Sequence, residues 1–143
     1  VVLAEVAGLE ATYRLRGTMQ FKSIENSFED ERGLIRDVIS HEPIDAVTVI
    51  VSKKGAVRGN HYHKDTYQWV YLLSGKVNYV SKAEGEESKT TVLVPGDLIL
   101  SEPYEAHAIE AVEDSEMIVL TRGPRGGKEY ETDTFRLDSP LIS

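Results

Sequence analysis

The chain has 143 residues, 16 Lys and Arg against 24 Asp and Glu, four His and no Cys. That length suits one domain that can bury its own core. A net charge of −8, short basic runs and no long apolar run argue against nucleic-acid and membrane partners. The absence of Cys removes disulfides, thiol nucleophiles and Cys-based zinc sites. With no signal-peptide pattern read at its start, the expected location is cytoplasmic.

In chain order, residues 1–18 read as an N-terminal extension and residues 19–143 as the single domain. Val2–Leu15 is mildly helix-friendly and Ala-rich. From Gln20 onward the pattern is all-β. Short apolar or alternating runs fall at Leu34–Ile39, Ala46–Ser52, Gln68–Leu73, Lys76–Ser81, Lys89–Val94, Leu98–Ser101, Ala106–Val112, Met117–Thr121 and Tyr130–Leu137. Turn residues separate them, among them Lys54-Gly55, Ser74-Gly75, Pro95-Gly96-Asp97 and 123–127. So many short strands predict a sandwich, jelly roll or barrel. In Gln68–Leu73, Gln68, Val70 and Leu72 share one face and Trp69, Tyr71 and Leu73 the other. Both faces are largely apolar, which predicts a central strand covered twice.

The chemistry concentrates on histidine. His61 and His63 flank Tyr62. On a strand they point to the same side, roughly 6.5–7 Å apart. Two imidazoles are thereby offered to one point, as metal ligands or as a near-neutral acid and base. His107 is the candidate third member of a facial set with open positions for substrate. His41, beside Glu42-Pro43, reads as solvated. Glu102, Glu105 and Glu110 flank His107, and one of them is a candidate to orient its ring. Tyr71 and Tyr79 are candidates to stack on a sugar or base.

Five residues separate Gly55 from His61, four separate His63 from Gln68, and six separate Gln68 from Gly75. This resembles the first cupin motif, with Gln68 where Glu usually stands. Gly96 to His107 resembles the second motif, with Pro displaced by one, Tyr104 in place of the middle Gly and Ala111 in place of the final Asn. The resemblance implies an all-β, single-domain cupin jelly-roll barrel with these side chains pointing inward. The string Arg58-Gly59-Asn60-His61-Tyr62-His63-Lys64, with Gln68 downstream, is similar to sugar-nucleotide cupins. These include the dTDP-4-keto-6-deoxyglucose 3,4-ketoisomerases, with HxHK followed by Gln, and the cupin domain of capsular-sugar reductases, where Glu stands at the place of Gln68. Phe28 to Gly33 resembles the D-x-R-G opening of sugar 3,5-epimerase and isomerase cupins.

The activity so implied is isomerisation or epimerisation of a keto-sugar nucleotide. A base removes a proton beside the ketone, an ene-diol forms, and the proton returns at the neighbouring carbon. His63 is the expected base and His61 its partner. Arg58 or Lys64 would hold the diphosphate, although simple alternation places Arg58 on the opposite face from the histidines. The metal reading is a set of His61, His63, Gln68 and His107 around Fe, Ni, Mn or Zn, in a dioxygenase or related enzyme. Alternatively, Gln68 hydrogen-bonds the His pair in a metal-free site. A non-catalytic sugar- or metabolite-binding cupin is the third reading. No organic cofactor is expected, and a homodimer through sheet edges is.

Overall fold

The structure, a computed structural model, describes the backbone of residues 2–6, 9–16 and 19–23 and residues 28–143 in full. Its strands are β1 (Val2–Val6), β2 (Leu9–Arg16), β3 (Met19–Ser23), β4 (Phe28–Asp30), β5 (Gly33–Ile35), β6 (Ala46–Ser52) and β7 (Val57–Tyr62). They continue as β8 (Tyr67–Ser74), β9 (Val77–Lys82), β10 (Lys89–Leu93), β11 (Asp97–Ser101), β12 (Ala106–Ala111), β13 (Ser115–Arg122) and β14 (Phe135–Arg136). One sheet has the order β1-β2-β3-β11-β8-β13-β6 and a second the order β10-β9-β12-β7-β14. β4 and β5 form a separate hairpin.

Alternation decides which residues make the core. Val70 and Leu72 of β8, Met117 and Val119 of β13 and Ile99 of β11 turn inward. They meet Val77 and Tyr79 of β9 and Leu93 of β10 from the second sheet. The opposite face of β8 is also buried. Trp69 and Tyr71 join Leu98 in an outer cluster covered by Val38, Ile39 and Ile44. β8 lies between β11 and β13, so it is central and covered on both faces.

Three local expectations are corrected. The helix-friendly stretch near the start is instead β1 and β2, paired antiparallel with each other, with β2 paired to β3. The expected domain start follows residues 17 and 18, which lie outside the described residues. The run Leu34–Ile39 leaves the strand after Ile35, so that Val38 and Ile39 can cover Trp69 and Tyr71. The run Tyr130–Leu137 is a short 3-10 helix, Glu129–Asp133, followed by the two-residue β14.

β7 carries the decisive irregularity. His61 pairs with His107, but Gly59 pairs with Ala108, so Asn60 is an extra residue. This β-bulge shifts the alternation by one. The bulge needs left-handed backbone at Gly59 and Asn60, with φ of 88° and 56°. A Cβ at Gly59 would sit 2.8 Å from the His107 carbonyl oxygen. Asn60 compensates by binding the C-terminal segment. Its Oδ1 accepts from the amides of Leu141 and Ile142, and its Nδ2 donates to the Ile142 carbonyl.

Candidate active site: a three-histidine cavity

A cavity of about 120 Å³ opens between the two sheets. β7 supplies Arg58 and His61, with His63 just beyond its end, β8 supplies Gln68 and Val70, and β12 supplies His107 and Ile109. The bulge places Arg58 on the cavity side, correcting the expectation from simple alternation. Its Nε donates to Ser52 Oγ at 2.9 Å, and its Nη2 to the Val51 carbonyl at 3.1 Å.

The three imidazoles converge. Ring centroids lie 4.9 Å apart for His61 and His63, 4.7 Å for His61 and His107, and 5.4 Å for His63 and His107. His63 Nδ1 lies 2.7 Å from the Asp133 carbonyl oxygen. That oxygen only accepts, so Nδ1 carries the proton and Nε2 keeps its lone pair. Nε2 is buried and has no hydrogen-bond partner among the described residues. His107 Nδ1 contacts Ser101 Oγ at 3.0 Å. Ser101, on the neighbouring β11 of the other sheet, thus helps to orient the ring, and of the flanking glutamates Glu105 hydrogen-bonds it through its backbone rather than its carboxylate. Glu110 instead accepts from Asn78.

Burial sets the charge state of the cluster. Burial first, then the charge of His63, Arg136 and Arg125, push His61 down to about 4, with Glu131 opposing. Burial and the two neighbouring imidazoles hold His107 well below the usual histidine value. Both rings are neutral in the native state near pH 7, whereas unfolded chains protonate them below about 6.5. The stabilising difference is complete above about pH 6.5 and is lost as pH falls toward 4. His107, only 4% exposed, contributes to that loss in the same direction. Chelator-treated protein should show falling urea midpoints between pH 7 and 5. His107→Gln, which cannot titrate, should flatten that slope. An equal slope in the variant would remove His107 as its source.

Sequence reasoning missed the side of the cavity contributed by residues 124–134. Pro124, Arg125, Tyr130 and Thr134 line it. Arg125 carries its guanidinium 5.4 Å from the Tyr130 ring centre. Its Nε is buried and has no hydrogen-bond partner among the described residues. Asp133 ties this segment down. Its carboxylate accepts from the amides of Lys64 and Asp65 and from Thr66 Oγ1 at 2.6–3.0 Å. Burial raises the Asp133 carboxyl, but the Thr66 hydroxyl, the two amides and His63 outweigh it and hold it below the ordinary range. The signal in the sequence was the basic, Gly-rich run 122–128, which has no following helix pattern.

Three expected residues stand apart from the cavity lining. Tyr71 belongs to the outer cluster because it alternates with Val70; its hydroxyl accepts from Arg36 at 3.4 Å. Lys64 is exposed, with its ammonium 4.2 Å from the Phe135 ring centre. Tyr79 is fully buried and stacks on His107 at 6.0 Å, too enclosed to meet a ligand.

The histidines also suit a metal. One nitrogen from each of His61, His63 and His107 lies within 4.8 Å of the others. The engaged Nδ1 atoms of His63 and His107 leave Nε2 of each for a ligand. Three neutral imidazoles, with Gln68 lining the same cavity, fit a borderline divalent transition ion.

The solved structures share this fold. A dTDP-4-dehydrorhamnose 3,5-epimerase from Sulfolobus tokodaii superposes with a TM-score of 0.73 at 18% identity, over 92% of this chain and 86% of that one. A 3,4-ketoisomerase from Thermoanaerobacterium thermosaccharolyticum, in complex with TDP, gives 0.71 at 23% identity over 86% and 90%. A 3,4-ketoisomerase from Helicobacter canadensis gives 0.73 at 17% identity over 85% and 92%. No curated protein matches the sequence. The architecture is the cupin jelly roll that the two motifs imply. Residues 28–135 match the polysaccharide biosynthesis C-terminal domain family, and the chain belongs to that family.

Proposed function

We propose that the cavity isomerises or epimerises a keto-sugar nucleotide by proton transfer. The observation that carries this reading is the buried Nε2 of His63, without a hydrogen-bond partner among the described residues, its tautomer set by the Asp133 carbonyl. Nε2 accepts the proton from the carbon beside the ketone. The electron pair of that C–H bond forms the ene-diolate, and Arg125 stabilises its oxygen. The protonated His63 then delivers its proton to the neighbouring carbon while the adjacent hydroxyl passes its proton to the former ketone oxygen, which moves the ketone by one carbon. For epimerisation the Tyr130 hydroxyl protonates the original carbon from the opposite face and regains its proton from His63 through solvent. Arg58, held on Ser52, contributes positive charge for an anionic substrate. The fold likeness to the epimerase and ketoisomerases supports the same substrate class.

The test is turnover of dTDP- and UDP-4-keto-6-deoxy sugars in deuterium oxide, followed by proton NMR. The reading requires deuterium at the carbon beside the ketone. Absence of exchange and of turnover across these substrates overturns it.

The histidine cluster favours one second reading. His61, His63 and His107, with Gln68 beside them, would hold a divalent Fe, Ni, Mn or Zn ion that supplies Lewis-acid polarisation of a substrate oxygen when bound. A ligated His63 could not act as base. Elemental analysis of protein purified without chelator or nickel resin separates the two readings, with His61→Ala/His107→Ala as control.

A homodimer in the cytoplasm completes the reading. The Cys-free sequence fits a reducing compartment, and no described helix is long and apolar enough to cross a membrane. β6 ends its sheet and exposes Val47, Val49 and Val51 at 58–64%. Edge strands of that kind need cover. Light scattering should give twice the chain mass, and Val49→Lys should return a monomer. A monomeric parent at micromolar concentration would reject the dimer.

A further inference from the structure

A second cleft lies on the other side of the second sheet. Tyr62 alternates with His61 and His63, so its ring stands away from the histidine cavity. The cleft measures about 410 Å³ and is lined by Tyr62, Tyr104, Lys82, Glu84, Ala106 and Leu137, among others. Tyr62 and Tyr104 face each other with centroids 6.5 Å apart and planes inclined by 27°. A flat ring between two others needs roughly 7 Å, twice the optimal carbon–carbon contact. The pair is therefore a slightly narrow wedge, with one wall fixed and the other open to water. The fixed wall is Tyr62, backed by Phe135 at 5.3 Å, which in turn carries the Lys64 ammonium. The open wall is Tyr104, which is 57% exposed.

Tyr104 is an unlikely residue for its place on backbone grounds. Its φ is +65°, a left-handed conformation that is uncommon for a bulky side chain. This is the position where the second cupin motif has glycine, the residue that adopts such a backbone without strain. Its amide is also fixed, donating to the His63 carbonyl at 2.6 Å. The ring gains little from burial to offset the strain. Strain maintained at an exposed aromatic residue points to a use for the ring.

We propose that this cleft binds a six-membered heteroaromatic ring bearing an anionic group, stacked between Tyr62 and Tyr104. Lys82 meets the anion, and the Glu84 carboxylate accepts from a ring N–H. No ion pair joins Lys82 to Glu84, so both remain available for these contacts. The site is separate from the proton-transfer chemistry and does not rest on it.

The test is NMR titration of the isotope-labelled full chain with uridine 5′-monophosphate, beside uridine and ribose 5-phosphate. Uridine 5′-monophosphate should shift the signals of Tyr62, Tyr104 and Gly85, while ribose 5-phosphate should leave them in place. Tyr104→Gly should weaken binding tenfold or more and raise the melting temperature, because glycine relieves the strain. Lys82→Gln should weaken the nucleotide and leave uridine unchanged. Three results overturn the proposal. They are shifts confined to the histidine cavity, unchanged affinity in Tyr104→Gly, and a lower melting temperature in that variant, which would make the ring a packing element.

Discussion

His63→Asn should lower kcat on the 4-keto sugar substrate by about 10²- to 10⁴-fold, the usual contribution of a positioned general base. The substitution separates two roles of one side chain. The Asn amide nitrogen can replace Nδ1 as donor to the Asp133 carbonyl, which the histidine meets at 2.7 Å. The segment carrying Arg125 and Tyr130 is then held as before. What disappears is Nε2, the buried atom with no partner among the described residues. KM should change by less than about threefold, because the cationic side chains of the cavity remain. Solvent deuterium exchange should fall in parallel with kcat, since both report proton removal. Retention of wild-type kcat within about threefold would move the base elsewhere, with His61 and Tyr130 the next groups to replace. Asp133→Ala supplies the contrast. It retains Nε2 but removes the carboxylate that accepts from Lys64, Asp65 and Thr66. Its loss should therefore appear in KM and stability as well as kcat.

The parts of this site legible in the sequence are those set by short-range geometry. His61 and His63 share a face because they are two apart on an extended chain. Gln68 shares a face with Val70 and Leu72 for the same reason, and that face is the barrel interior. The apolar composition of both faces of β8 correctly marks it as central. Arg58 fails the same rule because one extra residue intervenes. Gly59-Asn60 was the available signal, since these two residue types tolerate a left-handed backbone most readily. Periodicity assumes a regular strand and does not detect a bulge.

Long-range contacts were not legible. Asp133 fixes His63 across 70 positions of sequence, through a backbone carbonyl that any residue would supply. Ser101 approaches His107 through the pairing of β11 within one sheet and β12 within the other. Arg125 and Tyr130 enter the cavity only because residues 123–134 fold back over it. The expectation of a regular strand at Tyr130–Leu137 hid that arrangement. Tyr104 is the opposite case. The sequence showed it as a departure from the glycine of the motif, and the backbone shows why that departure is costly.

Gly75→Ala should be among the most destabilising single-methyl additions in the chain. Gly75 joins β8 to β9 with φ of +85°. An added Cβ would strike Ser115 Oγ and the Asp114 carbonyl, and would lie 2.7 Å from Ser115 Cα. Backbone cannot yield as a flexible side chain does. Ser115 Oγ accepts from the Lys76 amide at 3.0 Å and lies 2.7 Å from the Glu113 carbonyl. Displacing it disrupts the turn after β8 and the turn before β13 together. Left-handed strain costs about 1 kcal/mol, each disrupted hydrogen bond about 1 kcal/mol more, and steric displacement adds to both. A total of about 3–5 kcal/mol is expected, a large share of a typical domain's 5–15 kcal/mol. Gly85→Ala is the control. Its φ is +76°, but nothing lies within 4 Å of the added atom, so only the strain of about 1 kcal/mol applies. Urea denaturation of the two variants should therefore differ by at least about 2 kcal/mol. Gly75 lies at the end of β8 remote from Gln68, so folded Gly75→Ala protein should keep its kcat. Equal losses in the two variants would show that the two turns do not approach each other as closely as described.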